Sequence, residues 1–215
     1  MTANRPRALV LVSGTATEVG KTWWSAALAR ALRSRGRTVA ARKPVQSFDP
    51  HDVSTDAVVL GAATGEDAAV VCAPHRGYEM AMAPPMAAAT LGRPGFSIAD
   101  LVTELSWPAD VDVGFVESAG GPRSPLADDG DTITLTRALA PDLVVLVADA
   151  GLGTINSVRL AHDAFGALAP VVVALNRYDS SRVLHRANRD WLEATSGFSV
   201  VTDPNVLAER LARLR

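Results

Sequence analysis

Gly20-Lys21-Thr22, placed directly ahead of the run Trp23-Trp24-Ser25-Ala26-Ala27-Leu28, is the part of this sequence whose residue types and spacing speak most directly of chemistry. The apolar run Leu9-Val10-Leu11-Val12 leads into the loop Ser13-Gly14-Thr15-Ala16-Thr17-Glu18-Val19, and Gly-Lys-Thr then opens a helix. A strand, a loop and a helix N-terminus in that order make an anion receptor. The first N–H groups of the helix lack intrahelical partners, and the helix dipole adds partial positive charge there. In a P-loop, Lys21 would reach the outer phosphates and the Thr22 hydroxyl would ligate Mg²⁺. Five residues separate Gly14 from Gly20 where the common motif has four, and Thr15 stands in the place of the first glycine. Read blandly, the stretch is a strand-to-helix turn with a capping threonine. Gly-Lys-Thr at the helix start favours phosphate binding by Thr17, Glu18, Val19, Gly20, Lys21 and Thr22.

Further polar clusters each follow an apolar run. Thr38 to Arg42 delivers Lys43-Pro44-Val45-Gln46-Ser47, and Val113 to Val116 ends in Glu117-Ser118-Ala119-Gly120-Gly121. Leu143 to Ala148 is followed by Asp149-Ala150-Gly151-Leu152-Gly153-Thr154-Ile155-Asn156, and Val171 to Leu175 by Asn176. An acid directly after an apolar strand is costly to desolvate without a partner, so Glu117 reads as a metal ligand rather than a stray charge. Lys43 read alone is a solvated strand-end lysine, Asp56 a helix-start charge, and Gly120-Gly121 either a turn or a pair of backbone donors near substrate.

The elements that must position these clusters alternate along the chain. Helices are expected over Lys21 to Arg35 with Gly36 as the stop, Ser54 to Gly65, Ser97 to Ser106 with Ser97 as N-cap, and Thr132 to Leu139. Others are expected from Thr154 to about Ala167, Arg182 to Thr195 and Val206 to Leu214, with a weak strand at Phe198 to Val201. Arg76 to Gly95 reads as a loop plus a short helix. Strands that are apolar throughout, alternating with helices, imply a parallel sheet covered on both faces: an α/β protein of P-loop NTPase fold, one domain over 1–215. In such sheets ligands sit beyond the carboxyl ends of the strands, where these clusters all fall.

Composition excludes several partners. The chain has 215 residues, 48% of them hydrophobic, and a net charge of −2, so it can fill a core but offers no basic footprint for nucleic acid or anionic membrane. Its one cysteine, Cys72, excludes an intrachain disulfide, and the four histidines lack metal-ligand spacing. No apolar run approaches a membrane span, and Met1 to Arg7 lacks a signal peptide's apolar region, so a cytoplasmic protein is expected.

Taken together the clusters resemble dethiobiotin synthetase, a P-loop enzyme of biotin biosynthesis. The family's loop reads Gly-Thr-Asp-Thr-Glu-Val-Gly-Lys-Thr with the same one-residue extension, and the resemblance runs from about residue 9 to 176. It implies an ATP- and Mg²⁺-dependent ligase that joins CO₂ to the vicinal diamine 7,8-diaminononanoate. A carbamate attacks the γ-phosphate, and the second amine closes the mixed anhydride to a cyclic urea. By resemblance Lys21, Lys43 and Ser47 are catalytic, Asn176 contacts the base, and Thr22, Asp56 and Glu117 are linked to the metal. Lys43, Ser47, Gly120, Gly121, Gly153, Thr154 and Asn156 then fall at substrate. The family is a homodimer, and the Gly153 to Asn156 stretch implies a receptor for the substrate's distal carboxylate across the interface. Neither lysine lies in a core pattern, so folding is expected to survive their replacement.

Departures are Ala16 for an aspartate, Ser118 for a glycine, Ser157 for a histidine, and Trp23-Trp24 where smaller residues are usual. They leave the phosphate machinery intact and bear on the identity of the diamine. Asn176-Arg177-Tyr178-Asp179 also resembles the guanine-reading motif of GTPases, so a GTP switch is an alternative, although Asp149-Ala150-Gly151 is not the Asp-x-x-Gly of that class. A partitioning-type ATPase would carry a second lysine early in the loop, where this chain has Thr15 and Ala16. A related ligase acting on another amine or a carboxylate is the nearer rival.

Overall fold

The computed structural model describes residues 5–213. β1 (Ala8–Gly14) is buried along its whole length, and its side chains divide by parity: Leu9 and Leu11 enter one hydrophobic cluster, Val10 and Val12 the other. That split is what a strand buried on both faces requires. After it come α1 (Lys21–Arg33), β2 (Val39–Arg42), the two-residue β3 (Gln46–Ser47), α2 (Asp56–Thr64) and α3 (Ala68–Val71). Thr55 caps α2 by accepting from the Val58 N–H, and Gly65, with φ of 82°, ends it. A second two-residue strand, β4 (Gly77–Tyr78), pairs with β3.

The chain continues through α4 (Pro84–Thr90), α5 (Ile98–Thr103), β5 (Val113–Glu117), the hairpin β6 (Pro125–Ala127) and β7 (Gly130–Asp131), and α6 (Thr132–Leu139). Ser97 and Asp100 close a reciprocal capping box on α5. β8 (Leu143–Asp149), α7 (Thr154–Phe165), β9 (Val171–Asn176), α8 (Val183–Ala194), β10 (Ser199–Val201) and α9 (Pro204–Ala212) complete it. The main sheet has six parallel strands in the order β10-β9-β8-β1-β5-β2. Helices α1, α2 and α9 cover one face through Trp24, Leu60 and Leu207, and α4 to α8 cover the other through Ala87, Leu101, Ile133, Phe165 and Leu192.

The expected alternation is present, with some helix ends shifted by one to three residues. α1 stops at Arg33 rather than Arg35, α7 at Phe165 rather than Ala167, and α9 begins at Pro204 rather than Val206 because Asp203 caps it. Leu214, the expected last residue of α9, and Met1 to Asn4 lie outside the described residues. No described helix is long and apolar enough to cross a membrane. Cys72 is buried, and desolvation pushes its thiol up to about 12, which leaves it inert at neutral pH.

The topology fixes where a ligand goes. From β1 the chain crosses to β2 at one edge, returns through β5, and then builds β8, β9 and β10 on the other side of β1. The strand order therefore reverses around β1, and the crevice at such a reversal opens at the carboxyl ends of the strands.

Candidate active site

The loop between β1 and α1 is shaped by two residues in the left-handed region. Gly20, the N-cap of α1, has φ of 95°, and Glu18 has φ of 60°. Gly20 also meets Asn176 at the end of β9: a Cβ there would lie 2.0 Å from the Asn176 Nδ2. That nitrogen donates to the Val19 carbonyl at 2.9 Å. The neighbouring Arg177 bridges the Glu18 carbonyl at 3.1 Å and the Asp149 carboxylate at 2.9 Å. The loop is thus held from β8 and β9 through two consecutive carbonyls. Gly20→Ala is expected to abolish nucleotide binding, since a left-handed alanine costs about 1–3 kcal/mol and its methyl would push Asn176 aside. Equal nucleotide affinity in the variant and the parent by calorimetry would overturn that account.

Beside the loop three oxygens converge. The Thr22 Oγ1 lies 2.7 Å from Asp56 Oδ1 and 2.8 Å from Glu117 Oε1, and the Ser25 hydroxyl donates to Glu117 Oε2 at 2.7 Å. Lys43 supplies the counter-charge. Its Nζ stands 2.7 Å from Asp56 Oδ2 and 2.9 Å from Glu117 Oε1, and donates to the Ser118 carbonyl at 3.1 Å, so all three ammonium protons are placed. Glu117 is fully buried and Lys43 is 2% exposed.

The two lysines are tuned in opposite directions. Burial, reinforced by the Lys43 ammonium, depresses Lys21 to about 8. Burial acts against Lys43 too, but the Asp56 and Glu117 carboxylates outweigh it and hold it above the ordinary lysine range. In the same way the Lys43 ammonium outweighs burial at Asp56 and keeps that carboxyl below the ordinary range. The Lys21 Nζ donates to the Ala16 carbonyl of its own loop at 3.2 Å.

A cavity of about 1220 Å³ opens on this cluster. Its lining includes Thr17, Glu18, Gly20, Lys21 and Thr22 of the loop and helix start, Lys43 and Asp56 of the cluster, and Ser47, Met82, Pro84 and Gly120. The Ser47 hydroxyl donates to the Met82 carbonyl at 2.6 Å.

Several expectations need correcting. Lys43 is not a solvated strand-end lysine but the centre of a buried charge network, so its removal bears on folding as well as on chemistry. The Gly121 N–H is spent on the Ser124 hydroxyl at 3.0 Å, and Gly121 abuts the Thr15 carbonyl, so only Gly120 of the pair faces the cavity. Gly153 and Asn156 are exposed and, with Thr154, lie outside this cavity, which overturns nothing, since the expectation put them at the substrate of a second subunit. Of the two tryptophans, Trp24 is core and Trp23 is 57% exposed. The Ser118 side chain is buried and does not line the cavity. Asp179 accepts from the Ser181 N–H and hydroxyl in a local turn, at 2.8 and 2.7 Å. Ser25 went unread in the sequence, although it follows Thr22 by three residues and so shares its helix face. Gln46 went unread as well; it lines the cavity and accepts from the Ala57 N–H at 3.1 Å.

A Gly-Lys-Thr loop at the topological reversal of a six-stranded parallel sheet, with a hydroxyl and two carboxylates at one point, defines a nucleotide-binding protein of P-loop NTPase fold. Solved structures share that fold: a plasmid partition protein from Borrelia burgdorferi (TM-score 0.55, 11% identity, 98% of each chain) and the signal recognition particle receptor FtsY from Elizabethkingia anophelis (TM-score 0.54, 16% identity, 98% of this chain and 67% of that one). The family model described as an AAA domain matches residues 8–205. The ATP-dependent dethiobiotin synthetase of Haloferax mediterranei is 35% identical over 90% of this chain and 82% of its own, and that of Rhodococcus jostii is 36% identical over 95% and 89%. The chain belongs to the AAA-domain family of that model and to the ATP-dependent dethiobiotin synthetases, and it is an ATP-dependent ligase.

Proposed function

We propose that the protein forms a cyclic urea from CO₂ and 7,8-diaminononanoate with ATP. The observation that carries this reading is the buried Lys43, which lines one cavity together with the phosphate loop and Ser47, where it would meet both a transferring phosphoryl group and a carbamate. Lys21 and the loop N–H groups take the outer phosphates. Lys43 draws together the anionic oxygens of carbamate and γ-phosphate, whose mutual repulsion is the main obstacle to the transfer. Ser47, at the cavity wall, orients the diamine.

Thr22, Asp56 and Glu117 offer a hydroxyl and two carboxylates at one point, where a single hydroxyl proton can satisfy only one carboxylate at a time. Such a small set of hard oxygens fits Mg²⁺, which takes few protein ligands and leaves the rest to phosphate and water. When bound, the ion would neutralise charge on the β- and γ-phosphates.

Asn176 supports ATP over GTP. The Val19 carbonyl can only accept, so it fixes the Nδ2 inward. The Oδ1 accepts no hydrogen bond among the described residues and would be left to read a base. An acceptor there matches an exocyclic amino group and opposes the guanine carbonyl. Incubation with ATP, Mg²⁺, bicarbonate and 7,8-diaminononanoate should give the cyclic urea by mass spectrometry. Hydrolysis of nucleotide that neither needs the diamine nor yields that product would overturn the reading.

The second subunit completes the proposal. Thr154, 5% exposed, has a buried hydroxyl without a partner, while Leu152 beside it is 92% exposed and Leu160 on the same helix 65%. An N-terminus of α7 presented on an exposed apolar surface, away from its own cavity, suits a homodimer in which the Gly153 to Asn156 stretch receives the partner-bound substrate's carboxylate. The protein is expected to sediment as a dimer, with a raised KM for the methyl ester of the diamino acid. A fully active monomer, or equal KM for acid and ester, would remove this part.

A further inference from the structure

Trp23 is a large aromatic ring left 57% exposed in the first turn of α1, two residues past the phosphate-loop lysine. Its neighbour Trp24 is buried and meets it edge-on, with ring centroids 6.1 Å apart at 77°, so the exposed ring rests on a fixed base. Gly20, the N-cap of α1, precedes Trp23 by three residues. Asn176 packs against that N-cap: a Cβ on Gly20 would lie 2.0 Å from its Nδ2. Long helical side chains also lean toward the N-terminus and cover the turn before their own Cα. Trp23 and Asn176 thus flank the same helix start, one presenting an exposed ring and the other an Oδ1 that accepts no hydrogen bond among the described residues.

We propose that Trp23 is the stacking face for the base of the nucleoside triphosphate, holding the ring plane while Asn176 reads its edge. The inference rests on nucleotide use in the proposed reaction, and it adds the element that chooses among ligands carrying the same phosphates. Stacking accepts any base because every base has a π-face, so Trp23 sets affinity and Asn176 sets preference. Polyphosphate binding belongs to the loop and is independent of the ring.

Calorimetric titration of the full chain separates the two contributions. With Mg²⁺ present, Trp23→Ala should weaken ATP about tenfold or more, the loss of one base–aromatic stack, and leave inorganic tripolyphosphate unchanged. Trp23→Phe should recover most of the ATP affinity. ATP should quench tryptophan emission in the parent protein, and tripolyphosphate should not. The inference is overturned if Trp23→Ala binds ATP as the parent does, or if it loses ATP and tripolyphosphate equally. A parent protein that binds tripolyphosphate as tightly as ATP has no base site, and that result overturns the stack while leaving the ligase reading to its own product assay. A change in sedimentation for Trp23→Ala with unchanged ATP affinity would assign the ring to a subunit contact instead.

Discussion

Lys43→Met is expected to lose turnover and stability together, and by amounts large enough to be read separately. The side chain is almost wholly inaccessible and holds the fully buried Glu117 at 2.9 Å and Asp56 at 2.7 Å. Methionine keeps the unbranched stem but leaves both carboxylates, which share Thr22, without the ammonium paired to them. Removing one partner of a buried pair costs about 3–5 kcal/mol, because the remaining charge is uncompensated. Turnover should fall about a hundredfold or more, since a positive charge is lost where negative charge gathers. Adding Glu117→Gln removes the stranded charge, so the double variant should regain much of the melting temperature and none of the activity. Lys43→Met melting as the parent does would refute the buried network. Near-normal turnover would remove Lys43 from the mechanism.

The sequence marked the residues of this network but not their relations. β1, α6 and the start of α1 were legible because they rest on local signals: an unbroken apolar run, a helix period, a Gly-Lys-Thr turn. Lys43 looked solvated because its burial depends on carboxylates 13 and 74 positions away, beyond any window along the chain. The β3–β4 pair has two residues per strand and no periodicity to detect; it forms because the backbone of Gln46 and Ser47 is brought against Gly77 and Tyr78. The hairpin of β6 and β7 and the single turn of α3, with two to four residues each, are also too short for a period to show. Trp23 and Trp24, by contrast, were separable in principle. Trp24 falls on the stripe with Leu28 and Leu32, both buried, whereas Trp23 shares its side with Arg30, which is exposed. The helix phase decides which ring enters the core.

Glu117→Gln is the variant expected to act through the metal rather than through the fold. Glutamine keeps the shape of the side chain; with its oxygen toward Lys43, its NH2 can donate to the Ser25 hydroxyl, which bonds Glu117 Oε2 at 2.7 Å. The charge it removes sits at the end of β5, where Oε1 meets both Thr22 and Lys43. Lys43 retains Asp56 and the Ser118 carbonyl, so its ammonium stays paired and the network loosens without collapsing. The substitution should therefore cost less stability than Lys43→Met. Mg²⁺ binds through charge on hard oxygens, and loss of one of two carboxylates from its set should raise the Mg²⁺ concentration for half-maximal activity by about tenfold or more. Asp56→Asn should do the same, and it removes a carboxylate that is half exposed and costs less to leave out. Saturating Mg²⁺ should restore part of the turnover in either variant. Ser25→Ala gives the control, because it withdraws a hydrogen bond from Oε2 while leaving the charge. Its Mg²⁺ requirement should rise by less than that of Glu117→Gln. An unchanged Mg²⁺ dependence in both carboxylate variants would take the metal away from Thr22, Asp56 and Glu117, and would leave Glu117 as the buried counter-charge that holds Lys43 in place.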